Sequence, residues 1–155
     1  MPLRAVMFSG GVQQARAKRL RSVCLCLPVS LEPSRPGHPR ALVLAPTREL
    51  ATQIRERLDD SAAALGLRVL DVVGGVNINN HIRVLASPVD LLVATPGRAE
   101  DLINQKKLFL DQVEVTALDE ADQMADMGFL PQVRKLLDRT PKNLSLIHIS
   151  EPTRR

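Results

Sequence analysis

From Arg40 to about Leu118 the chain alternates short apolar runs with longer stretches in which apolar residues recur every three or four positions. Ala41-Leu42-Val43-Leu44 is unbroken and of strand length, the pattern of a strand covered on both faces. A turn at Pro46 follows. Leu50, Ile54, Leu58 and Ala62 then repeat at helical spacing through Leu65, and Gly66 supplies a stop. Arg68 to Val73 reads as a second strand, closed by Gly74-Gly75, and a short helix around Asn79 to Ala86 leads to a third strand, Leu91 to Ala94. Another helix near Arg98 to Asn104 precedes a fourth strand, Val113 to Leu118. Strands and helices alternating at these lengths predict an α/β fold, a parallel sheet with helices on both faces.

Both ends break this order. Residues 1–33 hold scattered arginines, prolines and glycines without a sustained period, and are expected to be irregular or disordered; residues 34–143 form the ordered domain; residues 144–155 begin abruptly. Charge follows the same division. The first 40 residues carry seven basic groups and one acid, a net +6, so the rest of a chain of net charge +4 is slightly acidic at −2. The overall basicity is therefore weak evidence for an anionic partner. Cys24 and Cys26 are too few for a disulfide framework or a complete zinc site. No apolar run nears the roughly 20 residues a spanning helix needs, so no membrane association is expected. Arg19 to Leu31 imitates a signal peptide, but it is short and proline-interrupted, and lacks a small-residue cleavage site.

Four polar signals fall at the carboxyl ends of successive expected strands, where open α/β sheets place ligands. The first is Pro46-Thr47-Arg48-Glu49-Leu50, in which Thr47 can cap a helix whose free N–H groups suit a phosphate; alone, it reads first as a plain helix start. Gly74-Gly75 permits close backbone approach or simply marks a turn. Thr95-Pro96-Gly97-Arg98 repeats the strand-to-helix pattern and adds an arginine. Last comes Asp119-Glu120-Ala121-Asp122. A strand-end acid can hold Mg²⁺ through water, and its neighbour can orient an attacking water. Magnesium retains several waters and needs only one or two carboxylates. A solvated acidic helix start explains the same tetrapeptide.

In this order and spacing, together with Ala51-Thr52-Gln53-Ile54 and Met127-Gly128-Phe129, the four motifs resemble the DEAD-box RNA helicases over about two-thirds of the chain. The resemblance implies a partial RecA-like sheet of the P-loop NTPase type. It implies ATP and Mg²⁺ as cofactors, Asp119 as the water-mediated Mg²⁺ ligand, Glu120 as catalytic base, and Asp122 as part of the nucleotide site. It further implies that Pro46, Thr47, Arg48, Glu49, Gly74, Gly75, Thr95, Pro96, Gly97 and Arg98 line a groove holding single-stranded RNA by its backbone. With no Trp or Tyr, base stacking has few candidates, which suits sequence-independent gripping. The chain is read as a fragment of an ATP-dependent RNA helicase, bacterial and cytoplasmic.

The family's phosphate loop, Gly-x-Gly-Lys-Thr, does not occur upstream of Pro46; the nearest imitation is Ser9-Gly10-Gly11. A frame shift accounts for the gap. A coding string for Gly-Ser-Gly-Lys-Thr-Leu-Ala-Phe-Gly-Leu-Pro-Leu, read one nucleotide late, translates as Ala-Arg-Ala-Lys-Arg-Leu-Arg-Ser-Val-Cys-Leu, the sequence of Ala15 to Leu25. The segment 1–33 is thus expected to be a phosphate-loop region in the wrong frame, leaving the sheet without its phosphate-loop strand. At the other end, Leu144 to Arg154 resembles the translation of a common transposase sequencing adapter, in place of the family's Ser-Ala-Thr motif. Its apolar alternation from Leu146 to Ile149 could still enter the sheet as a strand, and His148 there is read as structural or exposed and not as a ligand. Without a phosphate loop the chain is expected to lack ATPase activity. The alternatives are a non-enzymatic weak RNA binder, or a chain that does not fold.

Overall fold

A computed structural model describes residues 3–8, 34–141 and 144–148, the first and last of these as backbone strands. Among these residues are six strands: β1 (Leu3–Phe8), β2 (Ala41–Leu44), β3 (Val69–Val72), β4 (Leu91–Ala94), β5 (Val115–Asp119) and β6 (Leu144–His148). The helices among the described residues are α1 (Arg48–Ala64), α2 (Ile78–Leu85), α3 (Pro96–Asn104), α4 (Ala121–Asp126) and α5 (Leu130–Asp138). All strand pairs are parallel, in the order β3-β4-β2-β5-β1-β6. This is the expected α/β class.

Every residue of β2 and β4 is buried, as an unbroken apolar run requires in a sheet covered on both sides. Successive side chains go to opposite layers. Ala41 and Val43 join Ala51, Ile54, Leu58 and Ala62 of α1 on one face, with Leu91, Val93, Val115 and Ala117. Leu42 and Leu44 face the other way, into a layer built with Leu85 of α2, Leu102 of α3, Met124 of α4 and Leu136 of α5. Each fully buried leucine contributes about 1.5–3 kcal/mol relative to an exposed one.

Local chemistry sets the helix ends. The Thr47 hydroxyl accepts from the Leu50 amide at 3.2 Å and starts α1. Gly66, at φ +72°, ends it and lets the Leu67 amide return to the Ala62 carbonyl at 2.8 Å. Helix α3 begins two residues before the expected Arg98, because a proline fits the first helical turn without losing a hydrogen bond. Helices α4 and α5 follow the fourth expected strand, in a stretch where no full helix is expected from the sequence. Of these, α5 buries Val133 and Leu136, a three-residue spacing that does fit a helix face.

The largest difference from expectation is β1. Instead of irregular chain, Leu3–Phe8 forms a parallel strand between β5 and β6, with Phe8 opposite Asp119. The slot beside β5 is therefore filled, although the residues filling it carry no phosphate-loop pattern. An interior slot in a parallel sheet selects for an apolar run, and Ala5-Val6-Met7-Phe8 is one. The strand anticipated around Leu146 to Ile149 is present as β6, two residues earlier. Cys24, Cys26 and Ser9-Gly10-Gly11 lie outside the described residues. No helix among the described residues is long and apolar enough to cross a membrane.

Candidate functional site

The sheet register places the four motifs side by side. Leu44 pairs with Ala94 and with Leu118, and Val72 pairs with Ala94. One residue beyond that level stand Ala45, Val73, Thr95 and Asp119, each opening a motif loop on the same edge. Backbone bonds extend the alignment, from the Ala45 amide to the Ala94 carbonyl at 3.0 Å and from the Thr95 amide to the Val72 carbonyl at 3.1 Å. Residues 74 positions apart in sequence, Ala45 and Asp119, thus open onto one edge.

Three of the loops touch. A methyl group built on Gly75 would lie 2.8 Å from Arg48 Nη1, so the first motif's arginine lies directly over the second glycine. Gly75 also has φ +81°, a left-handed conformation that glycine adopts at little cost. From the other side Arg98 Nη1 donates to the Val76 carbonyl at 2.9 Å and lies 3.4 Å from His81 Nδ1. The Gly-Gly loop is therefore held between two arginines, one from each neighbouring motif. Behind it, Asp71 of β3 forms an ion pair with Arg55, Oδ1 to Nε 2.9 Å, which braces α1 against the strand leading into the loop.

Exposure divides the expected site residues by role. Arg48, Glu49, Gly74 and Gly75 are exposed, while Thr47, Thr95, Gly97 and Arg98 are half-buried. Pro46 and Pro96 are buried, so they shape the turns and present little surface. The Thr95 hydroxyl makes no capping bond at the start of α3, whereas that of Thr47 is used at the start of α1.

Asp119 ends β5 only 2% exposed. Glu120 is half-buried in the left-handed region at φ 54°, ψ 51°, a costly conformation for a residue with a long side chain. Asp122 is exposed on α4. The adjacent Asp119 and Glu120 carboxylates meet the small protein requirement of a hydrated magnesium ion. No cluster of three or more metal-ligating side chains occurs among the described residues. The residues do not fit ATP itself, because the sequence contains no Gly-x-Gly-Lys-Thr cradle for its phosphates.

His81 did not stand out in the sequence. It is 6% exposed on α2, and burial, followed by the nearby Arg98 guanidinium, holds its imidazole below the ordinary value of 6.5; Asp71 pulls the other way. A histidine among polar helix residues has no distinguishing pattern, and only the fold brings it to Arg98.

Fold and site together define a parallel α/β domain of the RecA-like type, with a row of polar loops on one sheet edge and an acid pair at a central strand end. Residues 21–150 match the family model described as DEAD/DEAH box helicase, and the chain belongs to that family. It is 50% identical over 101 residues to the DEAD-box ATP-dependent RNA helicase 52A of Oryza sativa subsp. japonica, covering 65% of this chain and 17% of that one. It is 48% identical over 106 residues to the ATP-dependent RNA helicase RhlB of Pseudomonas putida, covering 68% and 27%. The crystal structure of the yeast DEAD-box splicing factor Prp28 superposes with a TM-score of 0.80 at 30% identity, over 97% of this chain and 37% of that one. The chain thus spans between 17% and 27% of the length of these two curated relatives.

Proposed function

We propose that the chain carries part of the first motor domain of an ATP-dependent RNA helicase, and that its strand-end loops grip single-stranded RNA through the sugar-phosphate backbone. The observation supporting this most directly is the clamped Gly-Gly loop, with Arg48 against Gly75 and Arg98 on the Val76 carbonyl. Two arginines, exposed glycine backbone and a helix start with an uncommitted Thr95 hydroxyl form an edge suited to a polyanion but carrying no base-reading pattern. In the intact helicase Asp119 would hold Mg²⁺ through water, Glu120 would act as base, Asp122 would adjoin the nucleotide, and hydrolysis would drive strand separation in the cytoplasm.

The chain as written is a different matter. ATP needs a cradle of glycine amides and a lysine opposite Asp119, and β1 brings Phe8 to that level without them. We therefore assign the chain no ATPase activity, leaving a weak, salt-sensitive RNA binder as its own property. Segment 1–33 is assigned to the phosphate-loop region in a shifted frame, and 144–155 to adapter sequence. Resequencing the locus without transposase-based library preparation tests both assignments. An in-frame Gly-Ser-Gly-Lys-Thr and coding sequence running past Asn143 into Ser-Ala-Thr is the expected result; recovery of the same 155 codons refutes it. For the protein, retention of oligouridylate at low salt without magnesium-dependent ATP hydrolysis is expected. Measurable hydrolysis would overturn the assignment of inactivity.

A further inference from the structure

We propose that His81 is a positioning residue for Arg98: its neutral imidazole accepts from the guanidinium and keeps Arg98 clamped on the Gly-Gly loop, so that protonating the ring releases the loop and weakens the grip on RNA. This deepens the RNA-gripping reading and rests on it. Arg98 Nη1 carries two hydrogens. One is directed at the Val76 carbonyl at 2.9 Å, and His81 Nδ1 at 3.4 Å offers an acceptor for the other. That acceptor exists only while Nδ1 has no proton, because a neutral imidazole has one donor and one acceptor nitrogen and a charged one has two donors. Protonation would replace an acceptor with a donor and set a second cation against Arg98.

The surroundings make the contact consequential. Arg98 Nε is buried without a hydrogen-bond partner, so the guanidinium is held chiefly at its Nη1 end. His81 is itself buried, with little room to turn away. The charged groups acting on the ring come from two elements. Arg98 of α3 opposes its protonation and Asp71 of β3 favours it, but Asp71 is already engaged by Arg55 of α1 at 2.9 Å. On α2 itself Arg83 is exposed. Asp71, the carboxylate that favours a charged ring, is thus shared with the Arg55 guanidinium. A clamp that opens in acid follows, with Val76 carrying the change to Gly75 and so to Arg48.

The test uses the full 155-residue chain and has two independent readouts. Imidazole nitrogen shifts, with His81 assigned by comparison with His81→Gln, should show its proton on Nε2 alone at neutral pH and a titration below the ordinary value. Oligouridylate affinity at low salt, followed from about pH 8 to about pH 5, covers the imidazole range. The wild-type affinity should fall roughly fivefold relative to His81→Gln, the worth of one placed hydrogen bond. Glutamine offers a neutral acceptor that cannot titrate, and any effect of His38 or His148 is common to both proteins. Should His81→Gln fail to fold, His81→Asn, whose shorter amide reaches a similar point, takes its place. A proton on Nδ1 at neutral pH, or superimposable pH profiles, overturns the proposal. Absence of oligouridylate retention by either protein at any pH sinks the RNA reading and the functional half of the proposal, while the tautomer still decides the His81–Arg98 contact.

Discussion

Gly74 and Gly75 are adjacent in sequence, and substituting each with alanine should have different effects on the fold. At Gly75 the backbone has φ +81°, and the new methyl would lie 2.8 Å from Arg48 Nη1. Holding alanine in the left-handed region costs roughly 1–2 kcal/mol. The Arg48 end is flexible and can swing away, so the steric part adds little to stability but removes the arginine from the loop. The expected loss is about 1–2 kcal/mol, and each kcal/mol lowers the melting temperature by about 4 °C in a domain of this size. Gly74 has neither a positive φ nor any atom within 4 Å of the added methyl. Alanine there should be neutral or stabilise by about 0.4–1 kcal/mol, by restricting the unfolded chain. Urea denaturation of the two variants beside the wild type measures both effects. Oligouridylate binding at low salt adds a second axis: Gly75→Ala should weaken it through Arg48, and Gly74→Ala should weaken it only if the RNA backbone packs against that glycine. Equal stabilities for the two variants, or a Gly75→Ala protein as stable as wild type, would refute the reasoning.

Other substitutions probe the remaining layers. Leu92→Ala empties a fully buried site in the central sheet and should cost about 2–5 kcal/mol, whereas Leu65→Ala, 45% exposed, should cost under about 0.5; denaturation midpoints separate them. Thr47→Ala removes the α1 cap and should cost about 1 kcal/mol, with Thr47→Ser restoring most of it. Lys106 and Glu120 are the two non-glycine residues with positive φ among those described, at 59° and 54°. Lys106→Gly should raise stability by about 0.5–1 kcal/mol, because it ends α3 in the left-handed region. Stability should also depend on pH through His81. Its folded value lies below 6.5, so the unfolded chain takes up the proton first; stability is complete above 6.5 and falls as pH drops from there towards the folded value. A thermal melt series on wild type and His81→Gln should show the acid-side loss smaller in the variant, and identical slopes would exclude His81 as the source.

The sequence alone determined the elements whose pattern is dictated by burial. Ala41–Leu44 and Leu91–Ala94 are unbroken apolar runs because both faces of a parallel strand are covered, and both were legible to the residue. Helix α1 was legible from its spacing and its threonine cap, and the motif loops from polar and glycine residues at strand ends. Tertiary structure decided what depends on neighbours distant in sequence. Leu3–Phe8, interrupted by Arg4 and followed by chain without a sustained period, does not read as a strand, but beside β5 it meets an unpaired row of backbone groups and completes a ladder. Pro46 and Pro96 sit within the motif loops, and their burial is visible only in the fold. His81 gave no signal, because a hydrogen bond to an arginine 17 residues away exists only after β3, α2 and α3 have packed. Residue type and spacing identify the groups able to bind a phosphate, whereas which of them hold one another in place is settled by distance in the folded chain.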